Sequence, residues 1–299
     1  MNRRAFVKVA GLGSIGGLLA PSAFATPLYK LPAPGLQLFT FFGKIDNDVK
    51  GTMEQIKAAG YVNIESAFSR LGGLYGMKPR EWNNMLNNMG LKWRSHHVLG
   101  APFKMPAGSK PLTDADGKEI KIPVVQNLKD NSQELVDMAA EGGVEYLVCA
   151  NIPIGTVDEI KEAVGILNST AEKAKKAGVK FVYHNHDAEF KSVNGTIPYD
   201  VFLKETPIKM ELDLAWAVKG GKDPVAMFNE NPGRFPLWHV KDLDASHNNI
   251  LPVGKGTIDF KSIFAAASKS GLDYYFVEHD MPKDALASIK ESMETLKKM

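Results

Sequence analysis

The chain is poor in several things at once. It has a single cysteine, Cys149, among 299 residues. An intramolecular disulfide is therefore excluded. Cys149 closes the apolar run Val144–Cys149, which reads as a small buried hydrophobe rather than a nucleophile. No apolar run reaches the ~20 residues that a membrane-spanning helix needs. No Gly-x-Gly-x-x-Gly follows the first strand-like run, which argues against a dinucleotide-binding sheet. Net charge is scarce as well. The formal value is +2, and it falls to about −1 without the first 25 residues, which carry Arg3, Arg4 and Lys8 and no acid. Nothing in that balance predicts a nucleic-acid partner or an anionic membrane surface.

The N-terminus has a pattern of its own. Arg3-Arg4 is followed by Ala5-Phe6-Val7-Lys8, a Gly-rich apolar stretch to Ala20, and Ala23-Phe24-Ala25. That order is the pattern of a twin-arginine export signal with a small-x-small cleavage site. The apolar part spans only Val9 to Ala20, too short for an anchor. Residues 1–25 are read as a signal peptide and 26–299 as one mature domain, with a periplasmic destination and no membrane association after cleavage. No cysteine follows the signal, so lipid attachment there is excluded.

What the chain has in quantity is alternation. Strand-like runs occur at 36–42, 61–66, 91–97, 144–149, 179–184, 208–213, 235–241 and 272–278. Amphipathic segments fall between them at 46–59, 78–89, 128–141, 156–177, 198–205, 222–230, 258–270 and 283–298. Gly60, Gly90, Gly143, Gly178 and Gly271 each stand where a helix should stop before the next strand. Eight βα units without a break in composition predict an α/β fold, a (β/α)8 TIM barrel in a single domain. One connection is out of rhythm. Residues 100–126 carry no periodicity, and a loop that long on the catalytic face reads as a lid or rim.

Four strand-like runs end in metal-binding residue types. They are KFVYHNHD, IKMELDLAW, FPLWHVKD and YYFVEHD, and their tails offer His184, His186, Asp213, His239 and Glu278. In a parallel barrel the C-terminal strand ends converge on one face. Side chains alternate along a strand, so His184 and His186 share a facing, as do Glu211 with Asp213 and His239 with Lys241. Buried carboxylates need partners, and a shared cation is the simplest. Imidazoles mixed with carboxylates suit Mn2+, and also Zn2+, Co2+ or Fe2+, better than Ca2+ or Mg2+. Earlier strands contribute Glu65, His96 and His97 as candidate substrate contacts, and Trp216 as a wall for a sugar ring or a helix cap. One of His96 and His97 must face inward, and parity alone leaves open which.

With these residues assembled, the chain resembles the xylose-isomerase-like barrel superfamily, also called the sugar phosphate isomerase/epimerase family. Carrying that resemblance are Tyr183-His184-Asn185-His186, Leu212-Asp213-Leu214-Ala215-Trp216, His239-Val240-Lys241-Asp242, Val253-Gly254-Lys255-Gly256-Thr257-Ile258-Asp259-Phe260 and Val277-Glu278. The resemblance implies one divalent metal held by His184, Asp213, His239 and Glu278. Its ketose epimerases carry Glu where this chain has His184, which removes one of two bases for epimerisation. A Tyr-His-x-His is similar to that of inosose dehydratase-like proteins, and exported relatives resemble enzymes that cleave 3-keto-glycosides by β-elimination.

The leading expectation is a metal-dependent isomerase or epimerase acting next to a carbonyl on an unphosphorylated sugar. A keto-sugar lyase or dehydratase is the alternative, and a non-catalytic carbohydrate-binding barrel a third. Glu278 is the expected base and ligand, His184 or His186 ligand or acid, and Lys241 the stabiliser of negative charge. A related metal barrel repairs abasic DNA, but neutral charge and export argue against nuclease activity. A homo-oligomer is left open.

Overall fold

Hydrogen bonding turns each strand-like run into a rung of one closed sheet. In the computed structural model, residues 30–102 and 125–299 are described. The stretch 1–25 read as an export signal and most of the 100–126 connection therefore lie outside the described residues. Leu31–Met299 forms one compact unit. The strands are β1 (Gly35–Gln37), β2 (Asn63–Ser66), β3 (Lys92–Leu99), β4 (Tyr146–Asn151), β5 (Lys180–His184), β6 (Lys209–Asp213) and β7 (Leu237–Val240). A short pair, β8 (Asp242–Leu243) and β9 (Ile250–Leu251), precedes β10 (Tyr274–Val277). The seven strands β1 to β7 pair in sequence order, all parallel, and β10 closes the ring between β7 and β1.

Helices cover the outside. They are α1 (Val49–Ala58), α2 (Pro79–Asn88), α3 (Leu128–Gly142), α4 (Val157–Lys176), α5 (Pro198–Glu205), α6 (Leu214–Lys219), α7 (Pro224–Glu230), α8 (Phe260–Ala265), α9 (Ala267–Ser270) and α10 (Ala285–Leu296). This is the expected (β/α)8 barrel. The sequence pattern differs from it in three places. The run 36–42 yields only two strand residues, Leu36 and Gln37, because the Gln37 side chain accepts a hydrogen bond from Phe39 N at 3.0 Å and starts a 3-10 turn over Leu38–Phe41. The short helix α6 and the β8–β9 ribbon fall in stretches read as connections. The segment 258–270 breaks into α8 and α9 at Ala266.

Two apolar layers result. The larger fills the space between barrel and helices, with Ile56, Trp82, Leu86, Phe202, Phe228 and Trp238 fully buried. The smaller plugs the lower barrel with Tyr146, Val148, Val182, Leu237 and Phe276. Above that plug the inward positions turn polar. Two residues further along, Val182 gives way to His184, Leu237 to His239 and Phe276 to Glu278. Barrel interiors are ordinarily layered with Val, Ile and Leu. This one carries charge halfway down.

The Gly-x-Gly-x-Ile-Asp-Phe stretch has a physical reason. Asp242, fully buried just past β7, accepts backbone N–H groups from Leu243 (2.9 Å), Gly254 (2.9 Å), Gly256 (2.8 Å) and Ile258 (3.1 Å). A Cβ on Gly256 would lie 2.1 Å from the Leu243 carbonyl oxygen and 2.3 Å from Asp242 Oδ1. Only glycine fits. Gly256→Ala or Asp242→Ala should therefore cost about 2–4 kcal/mol, read as a lowered thermal midpoint. Gly165, within α4 and with open space around it, is the control. Gly165→Ala should raise stability by about 0.5–1 kcal/mol.

Candidate metal centre

The carboxyl ends of β5, β6, β7 and β10 bring their tails to one point. Register places Asp213 beside His239 and His184 beside Glu211. Asp213 ends β6 and also caps α6, because its Oδ1 accepts Trp216 N at 2.9 Å. Its second oxygen is left for the barrel mouth. The side chain of Asn185 ties the β5 tail to the same residue, accepting Asp213 N at 3.1 Å. His239 Nδ1 lies 2.8 Å from Glu278 Oε2 and 3.8 Å from Asp213 Oδ2. His184 Nε2 lies 3.9 Å from Asp213 Oδ2. Lys241 Nζ pairs with Glu278 Oε2 at 2.6 Å, Asp280 Oδ2 at 2.9 Å and Asp213 Oδ2 at 3.0 Å.

Below this ring stands a second one. Glu65 Oε2 meets His239 Nε2 at 2.5 Å, and Glu211 Oε2 meets His97 Nε2 at 2.6 Å and His184 Nδ1 at 3.1 Å. The His97 and His239 rings stack with centroids 5.0 Å apart. Glu65, Glu211, Asp213 and His239 have no exposed surface.

Burial and crowding set the protonation of these groups. Burial pushes the Glu211 carboxyl up to about 7, helped by Glu278 and Asp213 and opposed by His239. Asp213 is likewise raised by burial, against Lys241 and His239. Burial would raise Glu278 too, but Lys241 and His239 hold it well below the usual carboxylate range. His239 is the reverse case. Burial opposes its charge, yet Glu211, Glu278 and Glu65 raise it well above an ordinary imidazole. His184 is driven well below 6.5 by burial and by its cationic neighbours, beginning with His239. Its lone pair is therefore available. Lys241 stays charged, since Asp213, Asp280 and Glu278 outweigh its burial.

These residues fit a divalent cation. Asp213, His239 and Glu278 place one donor atom each within 4.8 Å of one another. Asp213 Oδ2 is buried and makes no hydrogen bond, its contact with Lys241 being an ion pair without hydrogen-bond geometry. Four buried carboxylates (Glu65, Glu211, Asp213 and Glu278) share this interior with the Lys241 ammonium and the His239 imidazolium, so an ion that takes the place of the His239 proton would be compensated. Nitrogen and oxygen donors together select a transition metal. With His184 Nε2 as the fourth donor the set has the size of a four-ligand site.

A cavity of about 250 Å3 opens over the cluster. Its polar side holds His97, His184, His186, Lys241, Glu278 and Asp280. Its other side is aromatic: Phe39, Phe42 and Phe68 pack with centroids 5.1–5.9 Å apart. A larger hollow of about 690 Å3 lies around Tyr146, Lys180 and Asp273, at the opposite ends of the strands. It holds no comparable donor set, and the chemistry belongs to the smaller cavity.

The tails named from sequence converge as the barrel geometry requires. His97 faces the interior and His96 the other way, where it bonds Ser66 Oγ at 2.8 Å and packs on Trp93. Neither His96 nor Glu65 lines the cavity. Glu65 is enclosed beneath it by Gln37, Ser95 and His239. Trp216 stands beside both His186 and Lys241, with centroid distances of 6.0 Å and 5.2 Å. Sequence reasoning missed the aromatic wall and the partners Gln37 and Ser95. It placed Glu211 deeper in the barrel than Asp213, as a layer residue or a partner behind the ligands, without naming its contacts. A polar residue at an inward position of a strand otherwise filled by Met and Leu was the available signal.

Residues 53–299 match the xylose isomerase-like TIM barrel family. An inosose dehydratase of Lacticaseibacillus casei is 26% identical over 250 residues, which cover 75% of this chain and 79% of that protein. An inosose dehydratase of Geobacillus thermodenitrificans is 27% identical over 261 residues, covering 79% and 83%. A solved sugar phosphate isomerase/epimerase from Parabacteroides distasonis superposes with a TM-score of 0.70 at 27% identity, covering 93% of this chain and 98% of its own.

Elemental analysis of the purified protein should find about one divalent transition metal per chain. Asp213→Ala and His239→Ala should each lower affinity at least ~100-fold. The ion displaces a proton from His239, so affinity in a chelator competition should climb with pH by up to about tenfold per unit while that histidine is protonated. A flat pH profile, or metal retained by both variants, contradicts the assignment.

Proposed function

Because the chain belongs to the xylose isomerase-like TIM barrel family, we propose that it is a metal-dependent lyase. Its substrate is an unphosphorylated keto-sugar, keto-glycoside or keto-cyclitol, from which it eliminates a β-oxygen. The observation that carries this reading is the asymmetry of the cavity. Among the described residues the only carboxylates lining it are Glu278 and Asp280, both held by Lys241, and the other titratable groups beside them are the imidazoles His97, His184 and His186. Epimerisation by two bases needs a proton carrier on each face of the substrate carbon, whereas elimination needs one base and one acid that can share a face. The inosose dehydratases among the relatives support the same class of chemistry.

Each residue then has a role. His184, Asp213, His239 and Glu278 hold the ion, which when bound would polarise the substrate carbonyl and stabilise enolate charge. Glu278 serves as ligand rather than base, since its depressed pKa makes it a weak proton acceptor. His186 lines the cavity, and its ring nitrogens make no hydrogen bond among the described residues, so it is placed to take the α-proton. The electron pair of that C–H bond forms the new C=C bond as the β-C–O bond breaks. The departing oxygen takes up the proton that His186 received and leaves as an alcohol or, from a free hydroxyl, as water. Lys241, kept protonated, steadies negative charge on substrate oxygen. Lys241 is also the only cation on the cavity wall among the described residues, and three carboxylates already occupy it. A phosphate would find no free partner there.

Isomerisation or epimerisation is the second reading, favoured by the Parabacteroides distasonis relative. One experiment separates the two. With 3-keto-glucosides and inososes in D2O, elimination gives an ultraviolet-absorbing enone and a released alcohol or water. Deuterium in an intact sugar supports the second reading and overturns the first. His186→Ala should lower kcat by about 10²–10⁴-fold with metal content unchanged. Full activity in that variant would remove His186 from the scheme.

A further inference from the structure

Glu65 and Glu211, which lie beneath the cavity in contact with His97, His184 and His239, are used by none of the roles above. Two arrangements of it deserve comparison. His97, His184, Glu211 and His239 place one donor atom each within 4.8 Å of one another, so a second, deeper cation site is one of them. Two of its nitrogens are already engaged in short hydrogen bonds. Donors at 2.0–2.2 Å around one tetrahedral ion stand roughly 3.4 Å apart. His239 Nε2 is bonded at 2.5 Å to Glu65 Oε2, which is outside that set, and His97 Nε2 and Glu211 Oε2 within it are 2.6 Å apart. Those are lengths of charge-assisted hydrogen bonds, not of neighbouring ligands. In the upper ring His239 Nδ1 is 2.8 Å from Glu278 Oε2, a hydrogen bond that an ion would replace, and 3.8 Å from Asp213 Oδ2.

We propose that Glu65 and Glu211 are positioning residues that fix the two histidine ligands in opposite tautomers. The proposal rests on the metal centre described above. Glu65 is itself held by Gln37 Nε2 at 2.8 Å and Ser95 Oγ at 2.5 Å, so its Oε2 is fixed where His239 Nε2–H donates. That leaves the lone pair of His239 on Nδ1, facing Asp213 and Glu278. Glu211 accepts from Nδ1–H of His184 at 3.1 Å, which leaves the lone pair of that ring on Nε2, facing Asp213. One ligand thus presents Nδ1 and the other Nε2. A free imidazole has no means of arranging this, and each carboxylate selects the tautomer of the ring it touches. His97, stacked on His239 and bonded to Glu211, keeps the second carboxylate from turning away.

The test is nuclear magnetic resonance of 15N-histidine-labelled, zinc-loaded protein, which reports which ring nitrogen binds. His239 should coordinate through Nδ1 and His184 through Nε2. Coordination of His184 through Nδ1 would put the ion in the deep ring and overturn the proposal while leaving a metal site intact. A protein that binds no zinc would sink the metal centre and this proposal together. In Glu65→Gln and Glu211→Gln, zinc affinity should fall about 10–100-fold. The ring-nitrogen spectrum should lose its single tautomer at His239 in the first variant and at His184 in the second. Unchanged affinity and spectra in both variants would contradict the roles assigned.

Discussion

The whole interior hangs on one electrostatic constraint: Glu65, Glu211, Asp213 and Glu278 are buried together against the Lys241 ammonium and the His239 imidazolium. Burying a carboxylate costs several kcal/mol unless it is paired and hydrogen-bonded. The barrel meets that cost in layers. Deep down, Gln37, Ser95, His97 and His239 surround Glu65 and Glu211 with donors. At the mouth, Lys241 draws Asp213, Glu278 and Asp280 together, and a divalent ion would supply the charge still missing. Buried acids therefore make a cation both affordable and specific in place.

The scaffold is arranged around that constraint. The apolar plug of Val148, Val182, Leu237 and Phe276 ends one pleat below the histidines, so strand register alone sets the depth of the polar layer. Asp213 does two jobs with two oxygens, capping α6 with one and facing the ion-binding side with the other. Asp242 gathers four backbone N–H groups behind β7 and keeps Lys241 at the end of a rigid strand. Catalytic geometry in such a barrel depends on these tails more than on any loop.

Much of this was legible in the sequence. Apolar runs with glycine at the helix ends give the eight units, and parity gives the shared facing of His184 with His186 and of His239 with Lys241. What parity cannot give is depth or partner. His96 and His97 are equivalent in the sequence; only the pairing of β3 between β2 and β4 turns His97 toward Glu211. Glu65 has the look of a strand-end substrate contact, yet its side chain lies below the cavity because Gln37 and Ser95 flank it in register. The short helix α6 escapes periodicity because six residues are too few to show one. The aromatic wall draws on two separate segments, the turn after β1 with Phe39 and Phe42 and the loop after β2 with Phe68, which no local pattern connects.

The most direct test of the account is an anomalous-difference map from crystals of the protein grown with Mn2+ or Zn2+. The account predicts one strong peak bounded by His184 Nε2, Asp213 Oδ2, His239 Nδ1 and Glu278 Oε2. No peak in the barrel, or one lying between His97, His184 and Glu211, would contradict it.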